Sequence, residues 1–99
     1  MKYCLSFVNE GKEFELPKLD VDLNEKAMYM IAKKTRKSTE DEYGAMLMRA
    51  RVLVALQKID SKVTMDNLLN MHPDDFYVLV ADLQSTGREL GEKKANFPK

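Results

Sequence analysis

Few side chains in this sequence have the chemistry for nucleophilic catalysis. The sole cysteine is Cys4 and the sole histidine is His72, and they stand far apart in the chain. Nucleophilic catalysis needs a nucleophile, a base and a group that orients the base. A spatial pairing of Cys4 with His72 would be the only way to begin such a set, and nothing near either residue supports it. We therefore expect Cys4 to be a small apolar core residue and His72 to lie just before a helix.

A metal site would have to use the acidic residues that follow this histidine. His72, Asp74 and Asp75 are close together in the sequence. Both aspartates fall at the predicted start of a helix, where the helix dipole favours negative charge, so capping accounts for them. The four glycines are scattered instead of forming a phosphate-binding loop. The residues predict no cofactor, no metal and no enzymatic activity.

The charge composition bears on the kind of partner. The 99 residues include 16 basic and 16 acidic side chains, for a formal net charge of +0. Nucleic-acid binders usually carry a basic excess, because phosphate neutralisation supplies most of their non-specific affinity. The cluster Lys-Lys-Thr-Arg-Lys at residues 33–37 is interpreted as a solvated helix end, with nucleic acid or an acidic protein as alternative contacts. A neutral chain opposes self-association little.

The cell compartment is indicated by cysteine usage and by the apolar runs. A single cysteine excludes an intramolecular disulfide, which fits a reducing compartment. The apolar run at residues 3–8 is too short for a signal peptide. No stretch approaches the ~20 apolar residues of a membrane helix. We expect a cytoplasmic protein with no membrane partner.

The first part of the chain alternates in the manner of β-strands. Residues 3–8 and 13–16 are the two predicted strands, and residues 9–12 have the composition of a turn. A lone hairpin is marginally stable in water. We therefore expect helices to cover the strand face that carries Phe14 and Leu16.

Helix-capping patterns occupy the remainder of the chain. They predict helices over residues 22–37, 39–59 and 65–70, and a last helix that opens at Pro73. Asp22 with Glu25, and Thr39 with Glu42, have the spacing of capping boxes. Residues 52–56 are apolar at every position, which indicates a helix buried on more than one side.

These elements predict an α+β fold in which an N-terminal β-hairpin is covered by a bundle of three to four helices. A chain of 99 residues has the length of one domain. We assign that single domain to residues 1–94, and residues 95–99 to a frayed C-terminal tail.

Apolar residues are abundant in the first two helices, and the chain contains seven methionines. Flexible thioethers adapt to different partners, although plain core filling is the alternative explanation. We predict that these helices carry a surface for a partner helix and for self-association. The predicted partner-binding residues are Met28, Met30, Ile31, Met46, Met48 and Val52.

A known family shares this order of elements. The features are the segment Gly-Lys-Glu-Phe-Glu-Leu-Pro-Lys-Leu at residues 11–19, a helix that opens near Tyr43 with an apolar run to Leu56, and the acidic Pro-Asp-Asp start of the last helix. Over roughly residues 3–92 the chain resembles the small tail assembly chaperones of long-tailed bacteriophages and prophages.

The resemblance implies a non-enzymatic protein that coats the tape measure protein before the tail tube polymerises around it. It also implies a longer, frameshifted product, for which Lys93-Lys94 marks a plausible slippage point. The alternative hypothesis is a small phage-encoded regulatory or nucleic-acid-associated protein.

Nucleic-acid affinity is expected to be weak, because the four cations of residues 33–37 are followed at once by acidic residues. The dissociation constant should lie in the non-specific range of about 10⁻⁴–10⁻⁶ M or above at physiological salt. Fluorescence anisotropy with labelled duplexes measures this constant. A sequence-specific nanomolar complex would contradict the prediction and favour the regulatory alternative.

Overall fold

The computed structural model describes residues 2–32 and 39–86. This part of the chain is mostly helical and has a two-stranded antiparallel sheet at its N-terminus, which is compatible with the predicted α+β class. The elements are β1 (Lys2–Tyr3), β2 (Phe14–Glu15), α1 (Val21–Ile31), α2 (Glu40–Ile59), α3 (Met65–Leu69) and α4 (Pro73–Thr86). The predicted domain end at residue 94 and the tail at 95–99 lie outside the described residues.

The strands are shorter than the alternation predicts. Lys2 lies opposite Glu15 and Tyr3 opposite Phe14, and the two aromatic rings are 5.9 Å apart. Residues 4–8 leave the sheet, because the chain turns back on itself there through a hydrogen bond from the Val8 N–H to the carbonyl oxygen of residue 5. The inward and outward alternation nevertheless persists to residue 7.

Because the alternation persists, Cys4 lies on the outward-facing side of this segment. Tyr3, Leu5 and Phe7 are partly buried against the core, whereas Cys4 and Ser6 face outward. The prediction that Cys4 is a core residue is therefore wrong, since its thiol is exposed. Its neighbours on both sides occupy the inward positions.

The turn that joins the strands is a short 3-10 segment at Asn9–Gly11, with three consecutive residues at positive φ. Asp60, just after α2, holds this turn in place. Its carboxylate accepts hydrogen bonds from the Asn9 N–H (2.9 Å) and from the Lys62 N–H (3.0 Å). These backbone bonds, that of Lys62 first, lower the pKa of Asp60 below its usual range.

The N-cap of helix α1 lies two residues before the predicted one. Asp20, not Asp22, caps the helix, and its Oδ1 accepts a hydrogen bond from the Leu23 N–H at 2.8 Å. Asp22 instead pairs with Lys26 (3.1 Å) and Lys58 (3.8 Å). Two aspartates two positions apart offer the same capping chemistry, so sequence spacing alone could not separate them. The predicted continuation of α1 to Lys37 falls outside the described residues.

The predicted start and end of helix α2 are confirmed. Thr39 and Glu42 form the capping box, and the helix runs to Ile59. Every residue from 52 to 56 is at most 6% exposed, so the predicted burial on more than one side is confirmed and extends to all sides of this segment. Helix α1 packs along α2 through Leu23, Ala27 and Ile31, which are spaced one helical turn apart.

The last two helices also begin where the sequence predicts. Thr64 and Asn67 form a capping box at α3, and α4 opens at Pro73. The Tyr3 hydroxyl donates a hydrogen bond of 2.8 Å to Asp82 Oδ2, which ties β1 to α4. Burial, and then the neighbouring carboxylate, raise the pKa of Tyr3 to about 12.

The Asp60 carboxylate should make folding sensitive to acid. Because its pKa is lower in the folded chain, its stabilising effect is present above the unfolded pKa of ~3.9 and is lost as pH falls through the folded pKa. Urea unfolding at pH 3 to 7 should show a shallower pH dependence for Asp60→Asn than for the wild type. Glu25→Gln, on the exposed side of α1, is the control. If Asp60→Asn matches that control, the turn does not depend on the carboxylate.

Candidate functional site

Both side chains that were considered for nucleophilic catalysis are at the surface. Cys4 and His72 are exposed. The His72 Nδ1 accepts a hydrogen bond of 3.1 Å from the Asp74 N–H and so caps the start of α4. Within residues 2–32 and 39–86, no three His, Cys, Asp or Glu residues are grouped closely enough to hold a metal ion. His72 is therefore accounted for by the helix start that it precedes.

Two of the six predicted partner-binding residues belong to the core. Ile31 is 4% exposed and Val52 is 1% exposed. Ile31 completes the stripe of α1 that packs on α2, and Val52 opens the fully buried segment of α2. Both are therefore inaccessible to a partner while the chain is folded, and the prediction is corrected at these positions.

The α1 methionines are exposed, but they lie on different sides of that helix. Met28 is 43% and Met30 is 39% exposed. A spacing of two residues turns a helix by about 200°. Met28 accordingly lines a hollow with Tyr29 and Tyr43, whereas Met30 lines another beside Val54. These two side chains do not form one continuous surface.

The α2 methionines also diverge. Met46 is half-buried and packs against the core. Met48 is half-buried and packs against the core as well, and it also lines an open groove between α2, α3 and α4. Of the six predicted residues, Met48 is the one that the structure brings to this groove.

We call this depression the α2–α4 groove; its volume is about 250 Å³. Its apolar lining is formed chiefly by Ala45, Met48, Leu69, Met71, Phe76 and Tyr77. Leu69 is 59% and Tyr77 is 58% exposed, so the rim of the groove is apolar as well as its floor. The rings of Phe76 and Tyr77 meet edge to face at 5.6 Å, which limits their freedom.

Sequence reasoning missed Leu69 and Tyr77 as binding residues, although the sequence holds a signal for each. Helix α3 is one turn long and can bury only one of its adjacent leucines, and Leu68 is the buried one. Tyr77 falls outside the stripe of α4 that continues through Leu79 and Leu83. Large apolar residues that a core stripe leaves over are candidates for a binding surface.

One cation lies among these apolar residues. Arg49 lines the α2–α4 groove and is half-buried. In the part of the chain that the structure describes, its guanidinium has no hydrogen bond or ion pair. Arg51, two residues later on α2, differs: its Nε donates a hydrogen bond of 2.8 Å to Asn24 Oδ1. Among the described residues, therefore, no partner engages the donors of Arg49, whereas Arg51 is engaged between two helices.

Comparisons of the chain with protein families, with curated proteins and with solved structures find no match. The basic cluster at residues 33–37 and the Lys93-Lys94 pair lie outside the described residues. Among the helices that are described, none is both long enough and apolar enough to cross a bilayer. The groove and the exposed side chains of α1 are thus the observations on which a function can be argued.

Self-association is expected to depend on exposed α1 residues. Sedimentation at micromolar concentration should show dimers or larger species, and Met28→Glu or Met30→Glu should shift them to monomers that stay folded. Ile31→Glu is the contrasting change, because it buries a charge without a partner. It should cost about 3 kcal/mol or more, which lowers Tm by at least ~12 °C. A wild type that is monomeric throughout would contradict the prediction.

Proposed function

We propose that this protein is a non-enzymatic tail assembly chaperone of a long-tailed bacteriophage or prophage, and that it binds the tape measure protein during tail morphogenesis. The observation that carries the proposal is the α2–α4 groove, with Leu69 and Tyr77 exposed at its rim. The proposal treats residues 1–94 as one domain in which helices cover the N-terminal hairpin.

The shape and lining of the groove favour a helical ligand. An amphipathic helix binds by placing apolar side chains one turn apart into a groove of this kind. The volume of about 250 Å³ is below the ~300–1,000 Å³ typical of small-molecule sites, and it suits one or two inserted side chains. Met48 and Met71 can adjust their shape to successive segments of a long helix.

The position of the groove also supports a binding role. Its α2 wall, Ala45 to Arg49, precedes the fully buried segment at residues 52–56 in the same helix. The wall is therefore anchored by the core, and little conformational entropy has to be lost on binding. Tyr and Arg, both present here, are enriched among the residues that dominate binding energy.

The two exposed sides of α1, at Met28 and at Met30, would serve contacts between copies of the chain. Met28 and Tyr29 line a hollow with Tyr43, on a side of α2 about 200° around the helix from Ala45. Self-association there would leave the α2–α4 groove open. Several copies could then lie along one long tape measure helix.

Co-expression with the tape measure protein of the same genome tests the proposal. The chain should keep the tape measure protein soluble and copurify with it. Tyr77→Glu should reduce the copurified amount by at least ~10-fold, which corresponds to the loss of one hot-spot contact. Val21→Glu, at a residue 72% exposed at the start of α1, is the matched control.

Two outcomes would overturn this function. A tape measure protein that stays insoluble with or without the chain contradicts it directly. A specific nanomolar complex with nucleic acid would instead support the regulatory, nucleic-acid-associated alternative.

A further inference from the structure

The side chain of Arg49 distinguishes the α2–α4 groove from a plain apolar depression, because it brings a positive charge to an otherwise apolar lining. Hydrogen bonds between charged groups are roughly twice as strong as those between neutral groups, so a carboxylate is the favoured partner for this charge. A guanidinium presents a planar fork of donors that matches a carboxylate in a bidentate pair. Arg49 has no such partner among the described residues, and it lies beside Met48 on the groove wall.

We infer that the α2–α4 groove selects an acidic amphipathic helix: apolar residues of the partner enter between Leu69 and Tyr77, and a flanking Glu or Asp pairs with Arg49. The inference rests on the proposed function in treating the groove as the docking site for a partner helix, and it adds the charge that the partner must carry.

The position of Arg49 indicates how the partner helix is oriented. Arg49 lies on the α2 wall of the groove, whereas the α4 side chains that line it, Pro73, Phe76 and Tyr77, are uncharged. The preferred ligand is therefore acidic on the side that faces α2, and complementary charge of this kind determines register more than raw affinity.

A display selection on the full-length chain tests the inference. The library consists of helical peptides about 18 residues long, or ~27 Å, with apolar positions at i, i+3, i+4 and i+7 and all other positions randomised. Selected peptides should be enriched in Asp or Glu at one position beside the apolar stripe. On Arg49→Glu the same selection should enrich Lys or Arg there.

Affinities of one selected acidic peptide, measured by fluorescence anisotropy, provide the quantitative test. Arg49→Gln should weaken binding at least ~10-fold, the size expected when one partner of a desolvated charged pair is removed. Arg51→Gln is the matched control on the same helix and should bind as the wild type does. Tyr77→Glu should also abolish binding, which places the peptide in the groove. Circular dichroism and Tm verify that each variant is folded.

The inference is overturned if no peptide is selected, if selected peptides lack the acidic preference, or if Arg49→Glu leaves that preference unchanged. Its failure is distinguishable from failure of the proposed function. If the chain solubilises the tape measure protein and Arg49→Gln does so equally well, the acidic-helix inference fails alone. If acidic peptides bind as expected and the tape measure protein stays insoluble, the chaperone function fails alone.

Discussion

The burial of one short segment of α2 on all its sides is the constraint on which the rest of the structure depends. Residues 52–56 are each at most 6% exposed, so the rest of the fold has to be arranged around this segment. Each fully buried Val or Leu contributes roughly 1.5–3 kcal/mol relative to exposure. The stripe of α1 covers the segment from one direction, while α3, α4 and the N-terminal residues Val8 and Phe14 belong to the same core cluster.

Polar contacts then determine how the N-terminal segment is attached to the helices. The Tyr3 hydroxyl reaches Asp82 on α4, and the Asp60 carboxylate holds the backbone of Asn9. Tyr3 and Asp82 are 79 positions apart in the chain, and Asn9 and Asp60 are 51 positions apart. Each bond therefore forms only once the helices have packed. The strands themselves contribute only two residue pairs, and a sheet of this size is not stable alone.

The same constraint produces the candidate binding site. Helix α2 is divided along its length into a buried C-terminal half and a half-exposed N-terminal half. The first half can present Met48 and Arg49 to a partner because the second half anchors the helix. Helices α3 and α4 complete the groove with apolar side chains that are not buried in the core, namely Leu69 and Tyr77. In this arrangement the core and the binding surface share one rigid helix.

The sequence by itself determined the features that depend on neighbours three or four residues away. The capping box at Thr39 is confirmed, and so is the predicted start of α3 after Thr64, because the hydrogen bonds of each cap close within one helical turn. Only the tertiary structure decided which of two chemically equal residues is used. Asp20 rather than Asp22 caps α1, Leu68 rather than Leu69 is buried, and Arg51 rather than Arg49 is hydrogen-bonded. The physical reason is that these choices depend on contacts with other elements, such as that of Asp22 with Lys58 and that of Arg51 with Asn24, and residues distant in the chain supply those contacts.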